Sequence, residues 1–194
     1  MRDRKAIGVL GIGNVLMGDD GIGPFVVKVL EARYEFPVNV ELRDLGTPGL
    51  GITSFFSEYD VLILVDAVHA KAAAGDIRLY RKQELVQVPI KPRVSPHDPA
   101  LVEALLFAEF SGKCPSEVLL VGVVPEACEL GCCLSPVIEA SVDVAVAKVV
   151  EELQRLGIDP VLRLQPPEPA IWWEKGFQTE IPEGGPVYVP GHSR

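Results

Sequence analysis

Three short stretches carry side chains whose types and spacing could do chemistry. GNVLMGDDG, residues 13 to 21, sets Asp19 and Asp20 side by side in a glycine-rich turn. VLILVDAV, residues 61 to 68, brings an apolar run to Asp66, and SPHDP places His97 at the mouth of a helix. Two carboxylates and one imidazole form a donor set suited to a borderline divalent ion such as nickel, zinc or iron, with positions left for water or a substrate group. An imidazole just ahead of a helix lies near the positive end of its dipole, which disfavours the imidazolium and keeps a nitrogen lone pair available. Asp20, Asp66 and His97 are therefore the candidate ligand set, and Asp19 is the candidate helix cap. Taken singly, each residue also has a plain structural use: Asp20 as a cap, Asp66 as a tie for a loop amide, His97 as a turn residue bonded to backbone.

The same glycine turn raises a phosphate reading, because a glycine pair after a first strand opens the dinucleotide-binding fingerprint. That fingerprint needs G-x-G-x-x-G, and here Leu16 holds the sixth position, with the next glycine displaced to Gly18. Two carboxylates at a helix start also repel phosphate. Asp44, after the second strand, could mimic a ribose-binding acid. His69, three residues past Asp66, reads as rim, and His192 as solvent-facing. No G-x-S-x-G elbow and no H-E-x-x-H motif occur. Cys128, Cys132 and Cys133 are spaced C-x3-C-C, a poor pattern for a closed tetrahedral site, and read as small-residue packing or loop filling.

The elements that must position these groups follow from periodicity. Residues 6–12, 61–68 and 118–124 are apolar without alternation, as in strands buried on both faces of a parallel sheet. VNVELRD alternates and makes a further strand, GTPGLG is a turn, and IRLY with VQVPI gives shorter, more exposed strands. Apolar residues at helical spacing start a helix near Asp20, Asp98-Pro99 starts another over 98–110, and Ser135-Pro136 opens a last one along Ile138, Val142, Ala145, Val149 and Leu153. Strands alternating with helices predict an α/β three-layer sandwich of the phosphorylase/hydrolase-like kind, a mostly parallel twisted sheet with helices on both faces. In such sheets ligands collect outside the carboxyl ends of the strands, which is where the three candidate residues fall.

Residues 1–158 make this domain, and 159–194 form a C-terminal extension. From Pro160 on, the chain carries seven of the seventeen prolines and both tryptophans, Trp172 and Trp173, without any period. It reads as an extended segment that wraps its own domain or stays partly disordered, or else as a strap that docks a partner. A chain of 194 residues with 48% hydrophobic side chains can bury a full core. The net charge of −9 and the lack of a Lys/Arg cluster speak against nucleic acid and membrane surfaces. No apolar stretch approaches the roughly 20 residues of a membrane span. MRDRKAIGVLGIG lacks a signal cleavage site and reads as a first strand, and four crowded cysteines read as the reduced thiols of a cytoplasmic protein.

GIGNVLMGDDGIGPFVV, LGTPGL, VLILVDAV, SPHDPALVEALL and VGVVPE leading into LSPVIEASVDVAVAKVVEEL together resemble, in order over about residues 6 to 155, the hydrogenase maturation endopeptidases. The resemblance implies an enzyme that removes a C-terminal extension from the large-subunit precursor of a nickel-iron hydrogenase after nickel insertion. It also implies that Asp20, Asp66 and His97 recognise nickel brought by the substrate; the first of these positions is Glu in some members and Asp in others. Gly46-Thr47 matches a further family segment beside the cleft. No permanent cofactor is expected, the expected partner is the precursor, and the expected state is a monomer. For the hydrolysis itself the sequence leaves open Asp20 or Asp66 as general base, a metal-activated water, or a carboxylate dyad. A non-catalytic nickel-checkpoint protein and a dinucleotide-dependent oxidoreductase are the alternatives.

Overall fold

The computed structural model describes residues 5–87 and 98–176. Thirteen named elements fall within these residues: β1 (Ile7–Gly11), α1 (Ile22–Arg33), β2 (Tyr34–Glu35), β3 (Val40–Asp44), α2 (Thr53–Phe56), β4 (Val61–Ala67), β5 (Ile77–Arg81), α3 (Lys82–Gln87), α4 (Asp98–Phe110), β6 (Glu117–Val123), α5 (Pro136–Arg155), β7 (Val161–Leu162) and α6 (Trp172–Gly176). Five strands form one sheet in the order β3-β1-β4-β6-β5, parallel throughout except for β5, which runs antiparallel to β6.

Alternate residues along the strands feed two cores. Val9, Ile63, Val65, Leu119 and Val121 face α1 and α5, where Val26, Leu30, Ile138, Val142, Ala145 and Val149 complete the packing. Leu10, Leu62, Leu64 and Leu120 face the opposite layer, with Ile52, Phe56, Leu85, Leu101 and Leu105 from α2, α3, α4 and the segment before α2. Because both faces are covered, the central strands β1, β4 and β6 are buried and apolar along nearly their whole length, which is why the sequence shows no alternation there, while the edge strands β3 and β5 carry charged residues. This is the expected three-layer sandwich.

Two short segments differ from their sequence reading. GTPGLG does not stay a turn: Gly49–Ile52 winds into a 3₁₀ turn that runs straight into α2. VQVPI was expected as a strand, but Val86 and Gln87 lie in α3 and residues 88–90 lie outside the described residues. Here Arg81 and Glu84 decide the local structure, since the Glu84 carboxylate accepts the Arg81 backbone N–H at 2.7 Å and starts a helical turn directly after β5.

The first part of the extension is packed on the domain. β7 pairs antiparallel with β2, with Tyr34 opposite Leu162, and Arg163 donates to Glu35 at 2.7 Å. From there the chain reaches α6, where Ile171 and Trp173 are buried while Trp172 is exposed and meets Trp173 edge to face. Burial and the Glu139 carboxylate of α5's first turn push the Glu174 carboxyl up, so α6 lies near the start of α5.

Candidate functional site

The parallel strands β1 and β4 end side by side, with Gly11 opposite Val65, and Asp66 is the next residue along β4. β1 then breaks into a tight loop. The Ile12 N–H still donates to the Val65 carbonyl at 2.9 Å, and the Gly13 N–H donates to the Gly46 carbonyl at 2.9 Å, which joins the two glycine segments matched by the sequence. Gly13 has φ +139°, and a Cβ there would lie 1.8 Å from the Asp20 carbonyl oxygen, so only glycine lets the loop fold back on itself. The Asn14 side chain accepts the Leu16 N–H at 3.0 Å, and a 3₁₀ turn, Gly18–Gly21, leads into α1. That helix seats on the strand ends through Gly23, whose Cβ would meet the carbonyls of Ile12 and Val65 at 2.2 and 2.3 Å.

Asp20 and Asp66 are each only 8% exposed. Asp20 Oδ2 accepts the Asn14 N–H at 2.7 Å, which fixes the carboxylate against the end of β1. The 3₁₀ turn that carries Asp20 packs on β4, the strand that carries Asp66. A third group reports on both: the half-buried Cys128 thiol is pushed up to about 11, first by burial and then by the carboxylates of Asp20, Asp19 and Asp66. At neutral pH Cys128 is a neutral thiol in a carboxylate-rich corner. The sequence showed Cys128 only as one of a loose cysteine cluster. Its place could have been read from the end of β6, which delivers residues 124–135 to the same edge of the sheet as β4.

Asp19 does not cap α1, contrary to expectation. The N-cap of α1 is Gly21, with no side-chain bond. Asp19 is 1% exposed and turns the other way, toward the loop between β6 and α5. Its Oδ2 accepts the backbone N–H groups of Glu126 at 2.9 Å and Ala127 at 3.0 Å and the Ser135 hydroxyl at 3.0 Å; its Oδ1 accepts the Ser135 N–H at 2.7 Å. Since Ser135 precedes α5, the buried charge sits at the positive end of a 20-residue helix. Local helix-start rules assigned Asp19 to the nearest helix, whereas long-range donors claimed it.

His97 lies outside the described residues; α4 begins one residue later, at Asp98. Among the described residues, no three His, Cys, Asp or Glu side chains are grouped to hold a metal ion. His69 is exposed, and His192 also lies outside the described residues. Two of the three candidate ligands are thus brought to one corner. The glycine loop there is closed by its own backbone and lined by buried carboxylates, which leaves no cradle for a phosphate.

Relatives share both the sequence and this architecture. The family model described as hydrogenase maturation protease matches residues 24–152, a span that includes Asp66 and His97. The hydrogenase 2 maturation protease of Escherichia coli K12 is 35% identical over 155 residues, covering 80% of this chain and 94% of that protein. The hydrogenase expression/formation protein HoxM of Azotobacter vinelandii is 36% identical over 151 residues, 77% of this chain and 73% of the relative. Among solved structures, the hydrogenase maturating endopeptidase HybD of E. coli superposes with a TM-score of 0.76 at 36% identity, covering 81% of this chain and 97% of HybD. A hydrogenase 2 maturation peptidase from a thaumarchaeon gives 0.59 at 34%, over 77% and 98% of the two chains. With a family model across two thirds of its length and relatives above 30% identity over most of it, the chain belongs to the hydrogenase maturation proteases.

Proposed function

We propose that this protein is the endopeptidase that removes the C-terminal extension of a nickel-iron hydrogenase large-subunit precursor once nickel is in place. It reads that nickel through Asp20, Asp66 and His97. The observation that carries the proposal is the convergence of two buried carboxylates, Asp20 and Asp66, at the carboxyl ends of adjacent strands in a chain of this protease family. Two carboxylate oxygens and an imidazole offer an incomplete shell, which suits an ion that arrives already held by the substrate better than one the enzyme must keep. The nickel is thus part of the substrate, and no resident cofactor is required.

The residues at the corner favour water as the nucleophile. Cys128 is held as a neutral thiol by burial and by its carboxylate neighbours, so it does not supply a thiolate. Asp20, oriented by the Asn14 amide, and Asp66, fixed at the end of a central strand, are the bases within the site that can take a proton from water as it attacks the scissile carbonyl. The acidic surface of the protein, net charge −9, favours approach of a basic segment at the cut. No helix among the described residues is long and apolar enough to cross a membrane, and the reaction is assigned to the cytoplasm, where precursor and enzyme would meet as soluble proteins.

The test is to incubate the protein, and its Asp20→Asn, Asp66→Asn and His97→Ala variants, with nickel-loaded and nickel-free precursor and to read product masses. Loss of a C-terminal peptide with nickel and wild-type protein only is the expected result. A precursor that is bound but stays intact would reduce the protein to a nickel checkpoint, and general peptidase activity blocked by chelators would replace substrate nickel with a resident metal.

A further inference from the structure

Cys132 and Cys133 are adjacent in the chain, and their sulfurs lie 3.8 Å apart. In an extended segment successive side chains point to opposite sides; here the backbone bends at both residues and turns the two thiols toward each other. Cys133 is exposed and Cys132 half-buried, so the pair is open to solutes. The chain is fixed to the site turn on both sides of the pair, at Gly131 and at Ser135. On one side, the Gly131 N–H donates to the Leu16 carbonyl at 3.0 Å and its carbonyl accepts the Gly18 N–H at 2.8 Å, a parallel bridge to the loop that leads to Asp20. On the other side, Ser135 gives both its N–H and its hydroxyl to the Asp19 carboxylate. Residues 132–134 thus span two clamps on the Gly18-Asp19-Asp20 turn.

We infer that Cys132 and Cys133 form a reversible thiol–disulfide site whose oxidation loosens the turn that carries Asp19 and Asp20. The oxidant is a low-molecular-weight disulfide such as glutathione disulfide. One cysteine thiolate attacks it and releases one thiol, and the neighbouring cysteine then displaces the second, so that two S–H bonds become one S–S bond while the oxidant is reduced to two thiols. Neighbouring Cα atoms are about 3.8 Å apart across a trans peptide and about 2.9 Å across a cis one, below the roughly 4.4–6.8 Å of ordinary disulfides. Closing the eight-membered ring therefore requires the 131–135 backbone to change shape, and both of its ends are tied to the site turn. A ring closed under such strain is also readily reopened by thiols, which is the behaviour of a switch rather than of a structural cross-link.

The experiment uses the full chain, with Cys132→Ser and Cys133→Ser variants, in buffers of rising glutathione disulfide to glutathione ratio. Free thiols are then alkylated, and intact and peptide masses are read. The expected result is a species that takes up two alkyl groups fewer than the reduced protein and whose Cys132-Cys133 peptide is about 2 Da lighter than the same peptide with free thiols; it is reversed by dithiothreitol and absent from both variants, which form a mixed disulfide with glutathione instead. Amide hydrogen exchange at Gly18, Glu126, Ala127 and Gly131 should speed up about tenfold or more in the oxidised form. A bond to Cys128 instead, failure to form the 2 Da species at any ratio, or unchanged exchange after oxidation would overturn the inference. These readouts need no substrate. The further expectation, reversible loss of precursor processing on oxidation, rests on the proposed endopeptidase reading; if the reduced protein fails to process precursor, that reading fails while the thiol chemistry stands or falls on the masses.

Discussion

Asp19 offers the sharpest test of how the site is held. Truncation by Asp19→Ala removes a carboxylate that is 1% exposed and leaves the N–H groups of Glu126, Ala127 and Ser135 without their acceptor. The Ser135 hydroxyl can turn to another partner, so it adds little. An unsatisfied buried donor costs about 1–3 kcal/mol. Glu126 and Ala127 lie on an exposed loop, so water entering the vacated space can serve their two N–H groups, and the total is about 2–3 kcal/mol. For a chain of this size that corresponds to a fall of about 4–12 °C in the melting temperature. Asp19→Asn keeps one oxygen for the Glu126 and Ala127 amides but turns an NH2 group toward the Ser135 N–H, for a loss of about 2 kcal/mol. Asp20→Asn, by contrast, keeps an acceptor for the Asn14 amide and should stay within about 1 kcal/mol of wild type while abolishing processing. Urea unfolding followed by circular dichroism measures all three. An Asp19→Ala protein within 1 kcal/mol of wild type, or one more stable than Asp19→Asn, would refute the view that this carboxylate ties the β6-α5 loop to the site turn.

Two further expectations concern the frame around the site. Glu152 is buried and receives Arg81 at 2.5 and 2.8 Å and Arg155 at 2.8 and 3.0 Å. Burial pushes its carboxyl up, but the hydrogen bonds from Arg155 and Arg81 outweigh this and hold it below its ordinary value of 4.5. The folded state therefore binds fewer protons there than the unfolded one, so the contribution is complete above about pH 4.5 and is lost as pH falls through the lowered value. Glu152→Gln should cost about 1–2 kcal/mol at pH 7, discounted for the partly exposed arginines, and the gap to wild type should close below about pH 4; a gap constant from pH 7 to pH 3 would contradict this. Trp173→Ala, at a nearly buried position, removes packing worth about 3–5 kcal/mol, more than the two-residue β2-β7 pairing and an exposed ion pair can replace, so the segment after Leu162 should come free and be clipped by proteases; Trp172→Ala should leave it protected.

The sheet and its helices were legible because each strand or helix is decided by its own residues. The central parallel strands β1, β4 and β6 are apolar along nearly their whole length, and the Ser135-Pro136 and Asp98-Pro99 starts mark α5 and α4 within a residue. The errors fall where short segments answer to distant partners. Val86 and Gln87 have strand-like neighbours, yet a single Glu84 bond to the end of β5 turns the chain helical. Asp19 and Asp20 are chemically identical and adjacent, so nothing local tells which one turns to the β6-α5 loop and which to the end of β1. That is decided by amides of residues 126, 127 and 135, more than a hundred positions away.

This division of labour gives the doubled acid in the turn a physical reason. Under the proposed function one carboxylate alone would have to bond the loop from β6 and also meet the nickel, and the Asp19 carboxylate, with both oxygens turned onto donors of residues 126, 127 and 135, is committed to the loop. With Asp19 bonded to the loop and the start of α5, the turn is held in place, while the Asn14 N–H fixes Asp20 through its Oδ2. The strength of the clamp and the reach of Asp20 are then separate quantities. Substitutions in the loop of residues 126–135 should change how firmly the corner is held without changing the proposed nickel-reading residues, and the vicinal thiols at Cys132 and Cys133 occupy the part of that loop through which such a change would pass.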